Sequence, residues 1–147
     1  MWTGTAAALI VPQRSIAGVE LNMTRPEVKA RKGQPDRIVH GTNDFGAFTE
    51  FTYRNDAGKL KVTFQGNAGA TAVFTNRPTQ HTAERIHVGS TETQLRDAYP
   101  GLRCRTELSN FRHCFTGRFR PGRRVTDYRI GLSTSRVKSV LVGFVID

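Results

Sequence analysis

The sequence predicts an α+β fold, a tandem repeat in which each copy holds a short helix and a three-stranded antiparallel meander, with the helices packed on the antiparallel sheet. Three observations predict it. Two segments, beginning at Val19 and at Ile86, follow the same order of residue types. Each segment carries the signals of a helix start. Each is followed by three β-rich runs that turn residues separate.

Each repeat begins with a short strand, a tight turn and the start of a helix. Thr24 with Glu27, and Thr91 with Gln94, have the spacing of a capping box. In that motif the threonine hydroxyl and the side chain three residues later satisfy each other's free backbone N–H groups. Both helices are therefore predicted to begin directly after the threonine.

The turns before the helices and the ends of the helices follow from residue type. Asn22 and Gly89 occupy the same position in the two copies, and both residue types readily take positive φ. The first helix is predicted to run to about Lys32 and to end at Gly33, and the second to run to about Tyr99. Helices of two turns are not stable alone in water, so each needs a sheet to pack on.

Six β-strands are predicted from runs rich in β-branched and aromatic residues, separated by turn residues such as Gly, Pro, Asn and Ser. The last run is almost continuously apolar, which is typical of a strand that is central in its sheet or covered on both faces. The predicted strands span residues 47–53, 59–65, 70–75, 111–119, 125–130 and 136–146.

A chain of 147 residues is long enough for one compact domain. We expect an N-terminal segment at 1–14, a first repeat at 15–77 and a second repeat at 78–147, joined in one monomeric body. Residues 1–7 are interpreted as the remnant of a truncated signal and residues 9–11 as the first strand of the mature domain. No apolar run approaches the length that spans a membrane.

The entry to the first helix also carries a family resemblance. Its residues are Leu21, Met23, Thr24, Arg25 and Val28, followed by Gly33 and Pro35. This pattern resembles the helix entry of the β-lactamase inhibitory protein family and of the small envelope lipoproteins of the SmpA/BamE type. The resemblance implies a tandem fold of helices and meanders, a bacterial source and a secreted or envelope location.

The resemblance also implies a contact residue. The inhibitory protein presents an acidic residue to its target at the tip of a hairpin, and the similar hairpin here carries Asp56, followed by Gly58 and Lys59. Family members often have Gly where Asn22 stands, and the inhibitory protein leads one to expect a cysteine pair in each half. Here only the second half has a pair.

That pair, Cys104 and Cys114, contains the only cysteines of the chain, ten residues apart. No CxxC motif and no histidine at metal spacing accompanies it, so the pair predicts a disulfide and hence an exported protein. Closing such a loop stabilises a fold by ~3 kcal/mol in the entropic account. The alternative is a pair of unpaired, half-buried thiols in a cytosolic protein.

Positive charge is concentrated in the second half. The formal net charge is +10, and eight arginines lie between residues 103 and 129 against two acids. Because alternate residues of a strand share a face, Arg112, Arg118 and Arg120 are predicted to project together, opposite His113. Arg129 is expected to extend this basic face across the hairpin. The candidate binding residues are Arg112, Arg118, Arg120, Arg123, Arg124, Arg129 and Asp56.

A guanidinium-rich face suits carboxylates, phosphates and acidic glycans, which accept paired hydrogen bonds from arginine. The sequence therefore predicts an exported, non-catalytic binding module that engages an acidic protein or an anionic envelope polymer through the arginine-rich sheet face. The family resemblance adds an inhibitor-like role as one form of this binding. The alternative is a solvated face that keeps the protein soluble. No nucleic-acid-binding motif is present, so sequence-specific recognition of nucleic acid is not expected.

Catalysis has little support in the residues. None of the four histidines has metal-ligand spacing, and no nucleophile-elbow, metalloprotease or phosphate-loop motif occurs. His113 precedes Cys114, but neighbours in a strand point to opposite faces, so the two side chains cannot act together. We predict no enzyme activity, no cofactor and no metal. The alternatives are a small basic hydrolase or nuclease, or a structural component of the cell envelope.

Overall fold

The structure is a computed structural model that describes residues 6–146. Most of the predicted signal remnant at 1–7 lies outside the described residues, and its last two residues lie in a single 3-10 turn, Ala6–Ala8. The strand predicted at residues 9–11 is confirmed, since Leu9 bridges to His81 and a strand follows at Ile10–Val11.

The fold is mostly β, and the predicted α+β tandem repeat of a helix and a three-stranded meander is wrong. Residues 6–146 contain two α-helices, α1 (Arg25–Lys32) and α2 (Glu92–Ala98). They also contain eleven strands, of which the first three are only two residues long. The strands are β1 (Ile10–Val11), β2 (Ser15–Ile16), β3 (Val19–Glu20), β4 (Arg37–Asn43), β5 (Gly46–Asn55), β6 (Gly58–Gln65), β7 (Ala70–Thr75), β8 (Arg103–Glu107), β9 (Phe111–Gly117), β10 (Arg124–Ile130) and β11 (Val137–Phe144).

Eight of these strands form one antiparallel sheet in the order β4-β5-β6-β7-β11-β10-β9-β8, and β1, β2 and β3 form a small second sheet. The two sets of four strands join where β7 pairs with β11. The almost continuously apolar run of the sequence therefore lies in the middle of the sheet, which is one of the two places predicted for it. Strands β2 and β3 contact β7.

The difference from the predicted fold lies in the edge strands of the large sheet. The sequence prediction missed β4 and β8, which are the two edge strands of the large sheet. Most residues of β4 are exposed, and β8 carries charged residues along its length. Edge strands commonly carry charges and lack the alternation of buried and exposed residues that marks an inner strand. When its edge strand is not predicted, each four-stranded half of the sheet is taken for a three-stranded meander.

The helix ends agree with the prediction. Both capping boxes are present, with the N–H of Glu27 donating to Thr24 Oγ1 at 3.3 Å and the N–H of Gln94 donating to Thr91 Oγ1 at 3.1 Å. The first helix ends at Gly33. Among residues 6–146 neither helix is long and apolar enough to cross a membrane.

Both helices pack on the same face of the large sheet, which we call the inner face. Lys29 of α1 lies over the ring of Phe51, and Tyr99 at the end of α2 stacks on Tyr128. Cross-strand pairing places Phe51 and Tyr128 on the same side of the sheet. Burial of this face, together with Val28 and Leu95 from the helices, makes the core. Neither α1 nor α2 packs on the opposite side, which we call the outer face.

Candidate functional site: an arginine-lined cleft

Strand β9 carries different chemistry on its two sides. Phe111, His113 and Phe115 project to the outer face, and Arg112 and Cys114 project to the inner face, because successive side chains of a strand alternate. The two flanking strands complete each side. Opposite His113 stand Arg105 of β8 and Arg129 of β10, and opposite Phe115 stand Arg103 and Asp127.

On the inner face, Arg112 is bound to α2. Its guanidinium donates to both carboxylate oxygens of Glu92, at 2.6 Å and 2.9 Å. The hydrogen bond from Arg112 lowers the pKa of Glu92, and the same bond raises the pKa of Arg112. Glu92 also accepts from Arg96, one turn later in α2. Arg112 therefore joins the sheet to the helix.

The predicted disulfide between Cys104 and Cys114 is present beside this ion pair. The two cysteines stand directly opposite each other on β8 and β9. Among the described residues, their sulfur atoms and the Glu92 carboxylate are the one group close enough together to suggest a metal site. Metal-binding cysteine is a thiolate, however, and both sulfurs here are oxidised. The group stabilises the fold and offers no metal site in this state.

On the outer face, His113 lies between two carboxylates. Its Nδ1 is 3.1 Å from both oxygens of Asp127, and its Nε2 is 3.4 Å from Glu107 Oε1. The same Glu107 oxygen lies 2.6 Å from Arg105 Nε, which makes an ion pair. Burial raises the pKa of Asp127, and the neighbouring His113 partly offsets the rise. The result is a continuous polar chain from Asp127 to Arg105.

Aromatic rings surround this histidine. The centroids of Phe111 and Phe115 lie 5.6 Å and 5.9 Å from the His113 ring, and the Phe119 ring lies 5.2 Å from that of Phe115. Two arginines cover the row: the guanidinium of Arg129 is 4.3 Å from the Phe111 centroid, and that of Arg105 is 6.0 Å from the Phe119 centroid. Cations at these distances are attracted to the ring faces. The three phenylalanine rings therefore lie on the outer face.

A cleft of about 630 Å³ opens where this row meets the end of β9. Gly117 ends the strand there with φ +90°, and a side chain at this position would collide with the carbonyl oxygen of Arg124. The chain turns away at this glycine and brings the following residues over the sheet. The lining consists of two glycines, two phenylalanines and four arginines: Gly101, Gly117, Phe115, Phe119, Arg103, Arg105, Arg118 and Arg120.

Charge around the cleft is unbalanced. Arg105 is paired with Glu107, but within the part of the chain that the structure describes, Arg103, Arg118 and Arg120 have no carboxylate partner at ion-pair distance. All three side chains are exposed. The cleft is therefore a cluster of solvated guanidinium groups above two aromatic rings.

The structure separates the candidate binding residues of the sequence. Arg118 and Arg120 lie in the cleft, and Arg129 lies on the same outer face. Arg112 does not, because it projects to the inner face and binds Glu92, so the predicted single face from Arg112 to Arg129 is wrong. The reason is the register of β9 and β10, in which Arg129 stands opposite His113.

The remaining candidates lie away from the cleft. Arg124 lies over the ring of Phe144 on the inner side of β10, and Arg123 lies in the turn before that strand. Asp56 is exposed at the turn between β5 and β6. Four strand spacings separate β6 from β9, about 19 Å at the usual distance between strands. The structure therefore does not bring Asp56 to the arginines.

Sequence reasoning missed Arg103 and Arg105 as site residues because the strand that carries them was not predicted. A signal was present. Both arginines flank Cys104, and a disulfide across two antiparallel strands places the neighbours of each cysteine together on the opposite side. The spacing from Cys104 to Cys114 would have paired these arginines with His113 and Phe115.

Comparison with known proteins identifies the fold but no family. No family model matches the chain, and no curated protein sequence matches it. A cysteine-rich secretory protein from Staphylococcus aureus superposes with a TM-score of 0.58 at 10% identity, over 90% of this chain. An extracellular protein containing an SCP domain from Bacillus anthracis superposes with a TM-score of 0.60 at 9% identity, over 84% of this chain. At these identities the likeness shows the fold alone.

The present chain spans less than half of those two proteins, 46% and 44% of their lengths. A candidate β-lactamase inhibitor protein from Streptococcus mutans is also similar, at 11% identity over 84% of this chain and 83% of that one. Its TM-score of 0.38 is too low to carry an argument. Membership of the β-lactamase inhibitory protein family stays a prediction, and the SmpA/BamE resemblance is not confirmed.

Proposed function

We propose that this protein is an exported, non-catalytic binding module that engages an acidic protein or an anionic envelope polymer through the arginine-lined cleft. One observation carries the proposal: four arginines line a single cleft of about 630 Å³. Three of them, Arg103, Arg118 and Arg120, have no ion-pair partner elsewhere in residues 6–146.

The chemistry of the lining supports an anionic ligand. A guanidinium group donates two parallel hydrogen bonds to a carboxylate, phosphate or sulfate, and several such groups around one cleft reinforce each other's field. The guanidinium groups repel one another because no acid lies among the lining residues of the cleft. A bound anion relieves that repulsion. The phenylalanine rings beneath them exclude water from one side, which strengthens each ionic contact.

The arrangement of His113 supports binding in place of catalysis. A general base needs a ring nitrogen free to take a proton from substrate. Here Nδ1 is held by Asp127 and Nε2 faces Glu107, while the side chain is only 6% exposed. His113 instead positions Glu107, and Glu107 positions Arg105 at the cleft. It is a structural element of the outer face.

Two observations support export. The Cys104–Cys114 disulfide is typical of proteins that leave the reducing cytosol. The two structures of similar fold are described as secretory and extracellular proteins from bacteria. An inhibitor-like role has narrower support, since it rests on the helix-entry pattern after Leu21 and on no feature of the cleft.

The test compares two double variants with equal loss of charge. Arg118→Ser/Arg120→Ser removes two arginines of the cleft. Arg37→Ser/Arg54→Ser removes two exposed arginines of β4 and β5, on the same face but far from the cleft. The measurement is the salt concentration that elutes each protein from immobilised heparin and from immobilised poly-L-glutamate, together with the melting temperature.

The cleft variant is expected to elute at clearly lower salt from at least one of the two resins, while the control elutes close to the parent. Both should melt within about 2 °C of the parent, since exposed side chains contribute little to stability. Equal elution of the two variants would mean that net charge alone is responsible. A parent that neither resin retains would also overturn the proposal.

A further inference from the structure

A second cationic cavity lies at the other end of β9. It measures about 410 Å³. Arg129 and Lys138 supply its charge, and Phe111 forms part of its wall. Its polar side chains come from the β8–β9 and β10–β11 turns. They are Asn110, Ser133 and Thr134.

The two cavities lie along one strand. Phe111 borders the second cavity and Phe115 borders the arginine-lined cleft. These residues are four apart on β9, which places them about 13 Å apart at the usual rise of a strand. Between them lies the ring of His113, and the guanidinium group of Arg129 lies over Phe111 at one end. The path between the cavities thus has aromatic rings beneath it and cationic groups at both ends.

We propose that the two cavities are subsites of one track that binds a linear polyanion, a flexible chain whose sulfate, phosphate or carboxylate groups recur along its length. This inference rests on the proposed function and deepens it by choosing the polymer over the acidic protein. An anionic group of the chain binds in the arginine-lined cleft, and another binds at Arg129 and Lys138. The segment between them lies along the row of rings on β9.

The exposed surface favours a polymer. Protein interfaces are anchored by large apolar side chains that insert into a partner. Of the three phenylalanines in the row only Phe119 is exposed, at 44%, and Phe115 is 9% exposed beneath the arginines. Positive charges distributed along a line bind well to a ligand whose negative charges recur along its length. Nucleic acid is a weaker candidate, because successive bases need several open aromatic faces to stack on.

The acids of this face do not oppose such a ligand. The outer side of β8 and β10 carries two carboxylates, Glu107 and Asp127. Glu107 is paired with Arg105 and Asp127 with His113. Each negative charge therefore has a positive or protonatable neighbour, while Arg103, Arg118 and Arg120 remain available at the cleft.

The experiment is a length series. Calorimetric titration at fixed salt measures the affinity of the parent for size-fractionated heparin oligosaccharides from disaccharide to dodecasaccharide, with linear polyphosphate of matched lengths as the second arm. The variant Arg129→Ser/Lys138→Ser removes the second subsite. Arg37→Ser/Arg54→Ser again controls for charge.

In the parent, affinity is expected to rise about tenfold or more once the chain is long enough to reach both subsites, because the second contact is intramolecular. The second-subsite variant should lose that rise and keep its affinity for the shortest oligosaccharides within about twofold. The charge control should keep the rise. The arm with the larger rise tells whether sulfated glycan or phosphate polymer is the better match.

Two results would overturn the track. One is an affinity that does not depend on length, and the other is a second-subsite variant that keeps the parent's full rise. The second result would mean that longer chains merely offer more overlapping sites. If short oligosaccharides and poly-L-glutamate still bind the cleft, the proposed function stands and only the track fails. If neither binds, the proposed function fails as well.

Discussion

The two sides of strand β9 use the same residue types for opposite purposes. On the inner side, Arg112 binds Glu92 and lies beside the Cys104–Cys114 disulfide, so its charge is neutralised within the fold. On the outer side, Arg118 and Arg120 follow the same strand and have no acid beside them in residues 6–146. A run of arginines in a sequence is therefore not one surface. The face of the strand decides which of them can reach a partner.

The largest expected effect comes from the inner side. Cys104→Ser/Cys114→Ser removes the cross-link between β8 and β9, and the entropic account of a loop of this size predicts a loss of about 3 kcal/mol in the free energy of unfolding. Urea unfolding of the oxidised parent and of the variant measures the loss. Unchanged stability would mean that helix α2 and the neighbouring strands hold this edge without the disulfide.

The second effect is smaller and depends on pH. Arg112→Gln breaks the ion pair with Glu92. Because both side chains of the pair are only about a quarter exposed, the loss should lower the free energy of unfolding by about 1–2 kcal/mol at pH 7. The bond to Arg112 lowers the pKa of Glu92 below its usual 4.5, so the stabilisation is fully present above pH 4.5 and is lost as pH falls through the folded-state pKa.

The difference in stability between the parent and Arg112→Gln should therefore shrink in acid. Unfolding curves at pH 7 and at successive values below 4.5 measure it. Retention of Arg112→Gln on heparin at pH 7 should stay close to that of the parent. A variant that keeps its stability and loses retention would place Arg112 in the binding surface and break the contrast between the two faces.

Local chemistry accounts for the parts of the fold that sequence reasoning predicted. The capping boxes at Thr24 and Thr91, the positive φ at Asn22 and the end of the first helix at Gly33 all depend on residues within a few positions of one another. The inner strands were predicted because their buried faces alternate, as in β6. The disulfide was predicted because the chain has only one pair of cysteines.

Long-range pairing accounts for the errors. Nothing local marks the edge strands, most of whose residues are exposed, so the sequence predicts a repeat with three strands in each copy. Nor does the sequence tell that Arg112 meets Glu92, twenty residues earlier, or that Arg129 stands opposite His113. The sequence therefore assigns the candidate arginines partly to the wrong face of the sheet.

If the outer face binds an anionic partner while the inner face holds the fold together, the arginines of the two faces should respond differently to that partner. The most direct measurement follows the arginine Nε–Hε signals by ¹H–¹⁵N NMR during titration with a heparin octasaccharide. The signals of Arg103, Arg118 and Arg120 should shift progressively, and that of Arg112, whose Nε donates to Glu92 at 2.6 Å, should stay in place. A titration that shifts Arg112 and leaves the three cleft arginines unchanged would contradict the account.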